Sequence, residues 1–156
     1  LAQLVNVIAP IMTEPGGPSW RQTTFFPFSI TSRLARGVAL ELKLESPTYD
    51  TAQYGAAALV DAVATHDPET GDIAVFVVNR SMTEDAMFDI DTSVLGDVEI
   101  VSAVSLHDDD IHAANTLAER ERVAPRENTS VRLGDGSVGI ALPPVSWTAI
   151  SLHARV

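Results

Sequence analysis

Gly71-Asp-Ile-Ala-Val-Phe-Val-Val-Asn-Arg-Ser81 is the stretch on which the fold turns. In an extended chain Ile73, Val75 and Val77 point to one side, and Ala74, Phe76 and Val78 to the other. Both sides are apolar, whereas a strand with one face in water alternates apolar with polar. The run is too short and too rich in Val and Ile for a buried helix. Turn formers bound it, Glu69-Thr-Gly-Asp72 before and Asn79-Arg-Ser81 after. It reads as the central strand of a sheet covered on both faces.

On its N-terminal side, Leu59 to Thr65 reads as the preceding strand, joined across Asp67-Pro-Glu-Thr-Gly71. Before that, Val38, Leu40, Leu42 and Leu44 alternate with Ala39, Glu41, Lys43 and Glu45, the pattern of a half-buried strand. On its C-terminal side, Met87 to Asp91 forms a short strand with Phe88 and Ile90 inward and Asp89 and Asp91 outward. Val98 to Leu106 forms another. Ser130 to Leu133 and Val138 to Leu142 flank Gly134-Asp-Gly-Ser137, the best tight-hairpin signal in the chain. Pro143-Pro144 bars continuation, and Ser146 to His153 makes the last strand. About eight short strands with turn signals between them predict an all-β antiparallel β-sandwich. The stretch from His107 to Asn128 is the least regular.

Residues 1 to 36 differ in character. Leu4, Val5 and Ile8 have near-helical spacing, but Pro10 stops a helix there. Thr13-Glu-Pro-Gly-Gly-Pro-Ser19 is a loop. Trp20, Phe25, Phe26 and Phe28 then follow within nine positions of a chain that is only 6% aromatic. A short helix is predicted from near Pro27, with Phe28, Ile30, Thr31 and Leu34 on one face, Arg33 and Arg36 at its C-terminal end and Gly37 ending it. The expected organisation is a helical or mixed segment at residues 1–36 and the sandwich at 37–156.

With 156 residues, 46% of them hydrophobic and 20% charged, the chain suits one domain with a sizeable core. No run approaches the roughly 18 apolar residues of a membrane-spanning helix. A formal net charge of −11 argues against nucleic acid and against an anionic membrane surface as partners. The absence of cysteine removes disulfides, thiolate metal sites and cysteine nucleophiles, and is compatible with the cytoplasmic location expected for this chain. The opening Leu-Ala-Gln-Leu-Val-Asn-Val-Ile has no basic region of a signal peptide and reads as the interior of a longer protein.

Candidate chemistry is sparse. A retaining glycosidase needs two carboxyl groups about 5 Å apart; Glu14 is the one acid within the aromatic and Gly-Pro region, no partner can be named for it, and an exposed loop charge is its ordinary role. His107-Asp-Asp-Asp-Ile-His112 has cation-ligand types but lacks the glycine hinge and spaced acids of a calcium loop, so it reads as a solvated acidic turn. No Gly-x-Ser-x-Gly elbow and no phosphate-cradling glycine loop occur. No cofactor or metal is expected. Asn79-Arg-Ser81 and Asn128-Thr-Ser130 match the weak glycosylation pattern. Trp147, in an alternating strand, suits core packing; Trp20, beside the Gly-Pro loop, suits core packing or ligand contact.

Several stretches, taken in order, carry a resemblance: Ala2-Gln-Leu-Val-Asn-Val-Ile-Ala-Pro-Ile-Met-Thr13, Trp20-Arg-Gln-Thr-Thr-Phe-Phe-Pro-Phe28, Leu44-Glu-Ser-Pro-Thr-Tyr49, Val75 to Ser81, Asn115-Thr116 with Val123-Ala-Pro125, and Leu142-Pro-Pro-Val-Ser146. Together they resemble the C-terminal region of family-51 glycoside hydrolases, the α-L-arabinofuranosidases. The resemblance implies a (β/α)8 barrel ending near residue 36, followed by a sandwich. It implies retaining removal of terminal α-L-arabinofuranosyl groups from arabinose-containing saccharides, using two glutamates upstream of this chain. No catalytic residue is then expected here, and a homo-oligomeric parent is. Gln3 matches the family's glutamine that contacts the sugar in the −1 subsite, and Trp20 falls on a loop near the pocket mouth. A stand-alone carbohydrate-binding sandwich is the alternative.

Overall fold

The computed structural model describes residues 3–155. Its elements run β1 (Ile11–Thr13), β2 (Ser19–Arg21), α1 (Phe25–Leu34), β3 (Val38–Ala39), β4 (Thr48–Thr51), β5 (Gly55–Ala58), β6 (Val60–His66), β7 (Asp72–Asn79), β8 (Ala86–Asp91), a 3-10 turn (Ser93–Leu95), β9 (Val98–Leu106), β10 (Arg126–Glu127), β11 (Arg132–Gly134), β12 (Ser137–Leu142) and β13 (Ser146–Ala154). Six strands in the order β10-β9-β13-β7-β6-β3 make the main sheet, and β11-β12-β8 make the second. Every pairing within them is antiparallel. The hairpins β1-β2 and β4-β5 stand apart from both sheets.

The stretch at β7 behaves as its sequence dictates. Ile73, Val75 and Val77 face the second sheet, where they join Ile150 and Leu152 of β13 and Val138, Ile140 and Leu142 of β12. Ala74 and Phe76 face the other way and pack with Phe26 and Ile30 of α1, Leu106, Val123 and Ala149. The molecule thus has three layers, with the main sheet in the middle. Register follows the same parity, since Ile150 lies opposite Val75, and Ala149 opposite Phe76.

A bulge lets β9 serve the inner core at mixed parity. Leu152 pairs with Ile100 but Ser151 with Ser102, so Val101 has no opposite number and is 59% exposed. One extra residue moves the alternation by one. Val98 and Ile100 on one side of the bulge and Ala103 on the other therefore all reach the same core.

Two expectations are corrected. The alternation from Val38 to Glu45 gives only the two-residue β3; Leu40 donates one more backbone hydrogen bond to Ala64, and the chain then leaves the sheet. At a sheet margin the segment has one neighbour only, and Leu42 stays 39% exposed. In α1 the buried face is Phe26 and Ile30, four residues apart, with Leu34 half-buried, while Phe28 is 55% exposed. The helix begins two residues before Pro27, which lies in its first turn.

The turn before β7 requires glycine. Gly71 has φ of +81°, and a Cβ there would lie 2.5 Å from the Ala154 carbonyl oxygen. Gly71→Ala should cost about 2 kcal/mol or more through backbone strain and displacement of the β13 terminus, read as a lowered urea midpoint.

Candidate functional site

The two residues singled out for ligand contact lie on the N-terminal segment, and the structure shows how it is held. Gln3 is exposed at the start of the described chain. Two residues on, Val5 forms an isolated parallel bridge with Ile11. Asn6 and Val7 both take φ of +58°, a conformation that Asn tolerates and a β-branched residue resists. Asn6 holds this turn closed. Its backbone N–H donates to the Ile11 carbonyl (2.7 Å), its Nδ2 donates to Thr13 Oγ1 (2.9 Å), and its Oδ1 accepts from the Thr13 N–H (2.8 Å).

β1 then pairs with β2, with Met12 opposite Trp20 and Ile11 opposite Arg21. The Gly-Pro loop expected between Thr13 and Ser19 is the connection of this hairpin, closed by the Glu14 N–H donating to the Pro18 carbonyl. Glu14 is exposed on it, the solvated loop charge its position suggested.

Trp20 is half-buried on β2 rather than free on the loop, and its indole N–H donates to the Asn115 carbonyl (3.1 Å). Gln22 Nε2 donates to the same oxygen (3.0 Å). The Asn115 side chain in turn donates to the carbonyls of Arg21 and Val123 (3.0 Å each) and accepts from the Val123 N–H (2.8 Å). Asn115 is 1% exposed, so one buried residue of the long loop grips three successive residues of the N-terminal segment. Arg21 adds to the junction: its guanidinium lies 5.6 and 5.3 Å from the ring centres of Phe25 and Phe26 and pairs with Glu121 at 2.9 Å. Sequence reasoning did not find Asn115 as a functional or structural residue; its signal there was membership in an ordered motif, Asn115-Thr116 with Val123-Ala-Pro125.

The acidic turn after β9 is organised by hydrogen bonds and one arginine. Asp108 Oδ1 accepts from the Asp110 N–H, Asp110 Oδ1 from the His112 N–H, and Arg122 reaches Asp108 (3.3 Å) and Asp110 (3.2 Å). The Asp110 amide first, and then Arg122, hold the Asp108 carboxyl below the usual range. Among the described residues no group of three or more His, Cys, Asp or Glu side chains is arranged to hold a metal ion. A cleft of about 540 Å³ opens beside this turn, lined in part by Tyr49, Arg80, His107, Asp108 and Trp147. Trp147 stacks on Phe76 at 6.0 Å between ring centres, the packing role read from its strand. Neither glycosylation-pattern asparagine has a free amide. Asn79, 2% exposed, donates to the carbonyls of Glu84, Leu142 and Pro143, and Asn128 donates to Ser105 Oγ and the Ala141 carbonyl.

These features define a class: an antiparallel β-sandwich domain whose main sheet carries a helix on its outer face, with the hairpin before that helix tied to the long loop through Asn115. The sequence model of the α-L-arabinofuranosidase C-terminal domain matches residues 1–146, and the chain belongs to that family. It is 52% identical over 153 residues to an exo-α-(1→6)-L-arabinofuranosidase of Bifidobacterium longum, covering 96% of this chain and 29% of that protein. It is also 52% identical over 150 residues to an intracellular exo-α-(1→5)-L-arabinofuranosidase of Streptomyces lividans, covering 96% and 22%. Among solved structures, a family 51 α-L-arabinofuranosidase from Bifidobacterium longum superposes with a TM-score of 0.92 at 39% identity, over 97% of this chain and 30% of that one. The chain therefore spans less than a third of the length of these relatives. Among the described residues no helix is long and apolar enough to cross a membrane.

Proposed function

We propose that this chain is the C-terminal part of a cytoplasmic exo-acting α-L-arabinofuranosidase, which removes terminal α-L-arabinofuranosyl groups with retention through two glutamates that precede it. The observation that carries this reading is the 52% identity to two exo-arabinofuranosidases along 96% of the chain. The sandwich itself serves as the platform on which the preceding catalytic barrel rests, and residues 1–36 are the end of that barrel. Two features support this placement. Helix α1 packs on the outer face of the main sheet, and Leu4, Val5, Val7, Ile8 and Phe28 of the same segment are left 42–77% exposed. So much clustered apolar surface calls for a cover. Phe26 does not share in it, being 7% exposed under α1. Gln3 contacts the arabinose in the −1 subsite, and Trp20 lies near the mouth of the pocket.

The test is hydrolysis by the parent protein. It should release arabinose from 4-nitrophenyl α-L-arabinofuranoside and from arabino-oligosaccharides, and the first product seen by proton NMR should be the α anomer. Absence of turnover on every arabinofuranoside offered would overturn the proposal, and the β anomer appearing first would overturn retention.

A further inference from the structure

We infer that Asn115, a residue of the sandwich loop, positions Gln3 for sugar binding through the β1-β2 hairpin; this rests on the reading above that Gln3 contacts the sugar. The chain of contacts is continuous. Asn115 is 1% exposed and holds Trp20, Arg21 and Gln22 by three hydrogen bonds across 93 to 95 residues of sequence. β2 holds β1 in register, and the Gln22 N–H donates to the Pro10 carbonyl (2.7 Å). β1 holds Asn6 by four hydrogen bonds and Val5 by a bridge. Gln3 lies two residues ahead of that clasp.

The backbone gives independent support. Two successive residues in the left-handed region, one of them Val7, persist only where surrounding contacts over-determine them, and such strain collects where a side chain must be aimed. Here the over-determining contacts are those of Asn6, Thr13 and Ile11, and β1 is tied to the sandwich loop through β2, which Asn115 holds. A buried asparagine used only for loop stability would need its bonds to Val123 alone. Asn115 instead gives a donor and its backbone carbonyl to β2 and Gln22, the segment paired with the strand that carries the clasp. It is a positioning residue, not a catalytic one.

The experiment uses the parent protein and steady-state kinetics on 4-nitrophenyl α-L-arabinofuranoside, with melting curves for each variant. Gln3→Ala should raise KM about 10-fold, the loss of one hydrogen bond to a neutral sugar. Asn115→Ala should raise KM by a similar factor with kcat changed far less, since binding common to ground and transition state is lost. Thr13→Val, a near-isosteric change that removes both bonds of the Thr13 hydroxyl to Asn6, should raise KM about 3-fold and decides the matter if Asn115→Ala fails to fold. In the Gln3→Ala background neither change should raise KM further, because coupled effects do not add. Asn128→Ala removes a second bridging asparagine, half-buried between the sheets, and should lower the melting temperature without moving KM. If Gln3→Ala raises KM while Asn115→Ala and Thr13→Val leave it unchanged, the positioning role is overturned and the Gln3 reading stands. If KM rises additively for Asn115→Ala and Gln3→Ala, or rises equally for Asn128→Ala, the role is merely structural and the inference fails. If Gln3→Ala leaves KM unchanged, the Gln3 reading itself fails and this inference with it.

Discussion

Replacing Ile150 with alanine should lower the unfolding free energy by about 4 kcal/mol, a large part of what a domain of this size has. Ile150 is fully buried, on the middle layer between Val75 of β7 and Ala103 of β9. It faces β12, whose Val138, Ile140 and Leu142 are likewise fully buried. The cavity would be walled by three hydrogen-bonded strands on one side and a second sheet on the other, so neighbours cannot collapse into it. The cost should therefore fall toward the upper end for such truncations. Urea denaturation followed by far-UV circular dichroism reads it. A loss below about 1 kcal/mol would mean the two sheets do not share one core.

Phe26→Ala should cost about 3 kcal/mol and act on a different layer. Phe26 is the anchor of α1 against Ala74, Phe76 and Ala149, and Arg21 leans on its ring from outside. Its removal should loosen α1 and the hairpin before it while the sandwich stays folded. Hydrogen exchange should then rise at Ala35 and within α1, with β7 and β13 still protected. Uniform loss of protection across β7 would instead show that helix and sandwich unfold as one unit.

The contrast between these two substitutions marks what the sequence made legible. Apolar residues on both parities of Ile73 to Val78 required cover on both faces, and the structure supplies β12 on one and α1 on the other. The Asp135-Gly136 turn and the strands β8, β9, β12 and β13 were readable for the same reason: alternation and turn chemistry are local. The β4-β5 hairpin was not readable, because Gly55-Ala-Ala-Ala58 has no alternation to show. The strands of β1-β2, three residues each, are too short for a period. The apparent strand from Val38 to Glu45 misled because alternation cannot report that a sheet ends. Asn115 was least visible of all. Its role lies in hydrogen bonds to residues some 94 positions away, a relation no periodicity encodes. The packing role of Trp147 was legible from its strand; the bond that fixes Trp20 to Asn115 was not.

On the proposed function the reacting glutamates lie outside residues 1–156, and one assay tests that most directly. Residues 1–156, with a cooperative melting curve as proof of folding, are to be compared with the parent protein at equal molar concentration on 4-nitrophenyl α-L-arabinofuranoside. The parent should turn the substrate over, and residues 1–156 should show no turnover above the buffer rate. Turnover by the folded chain alone, abolished by heating it through its melting transition, would contradict that placement.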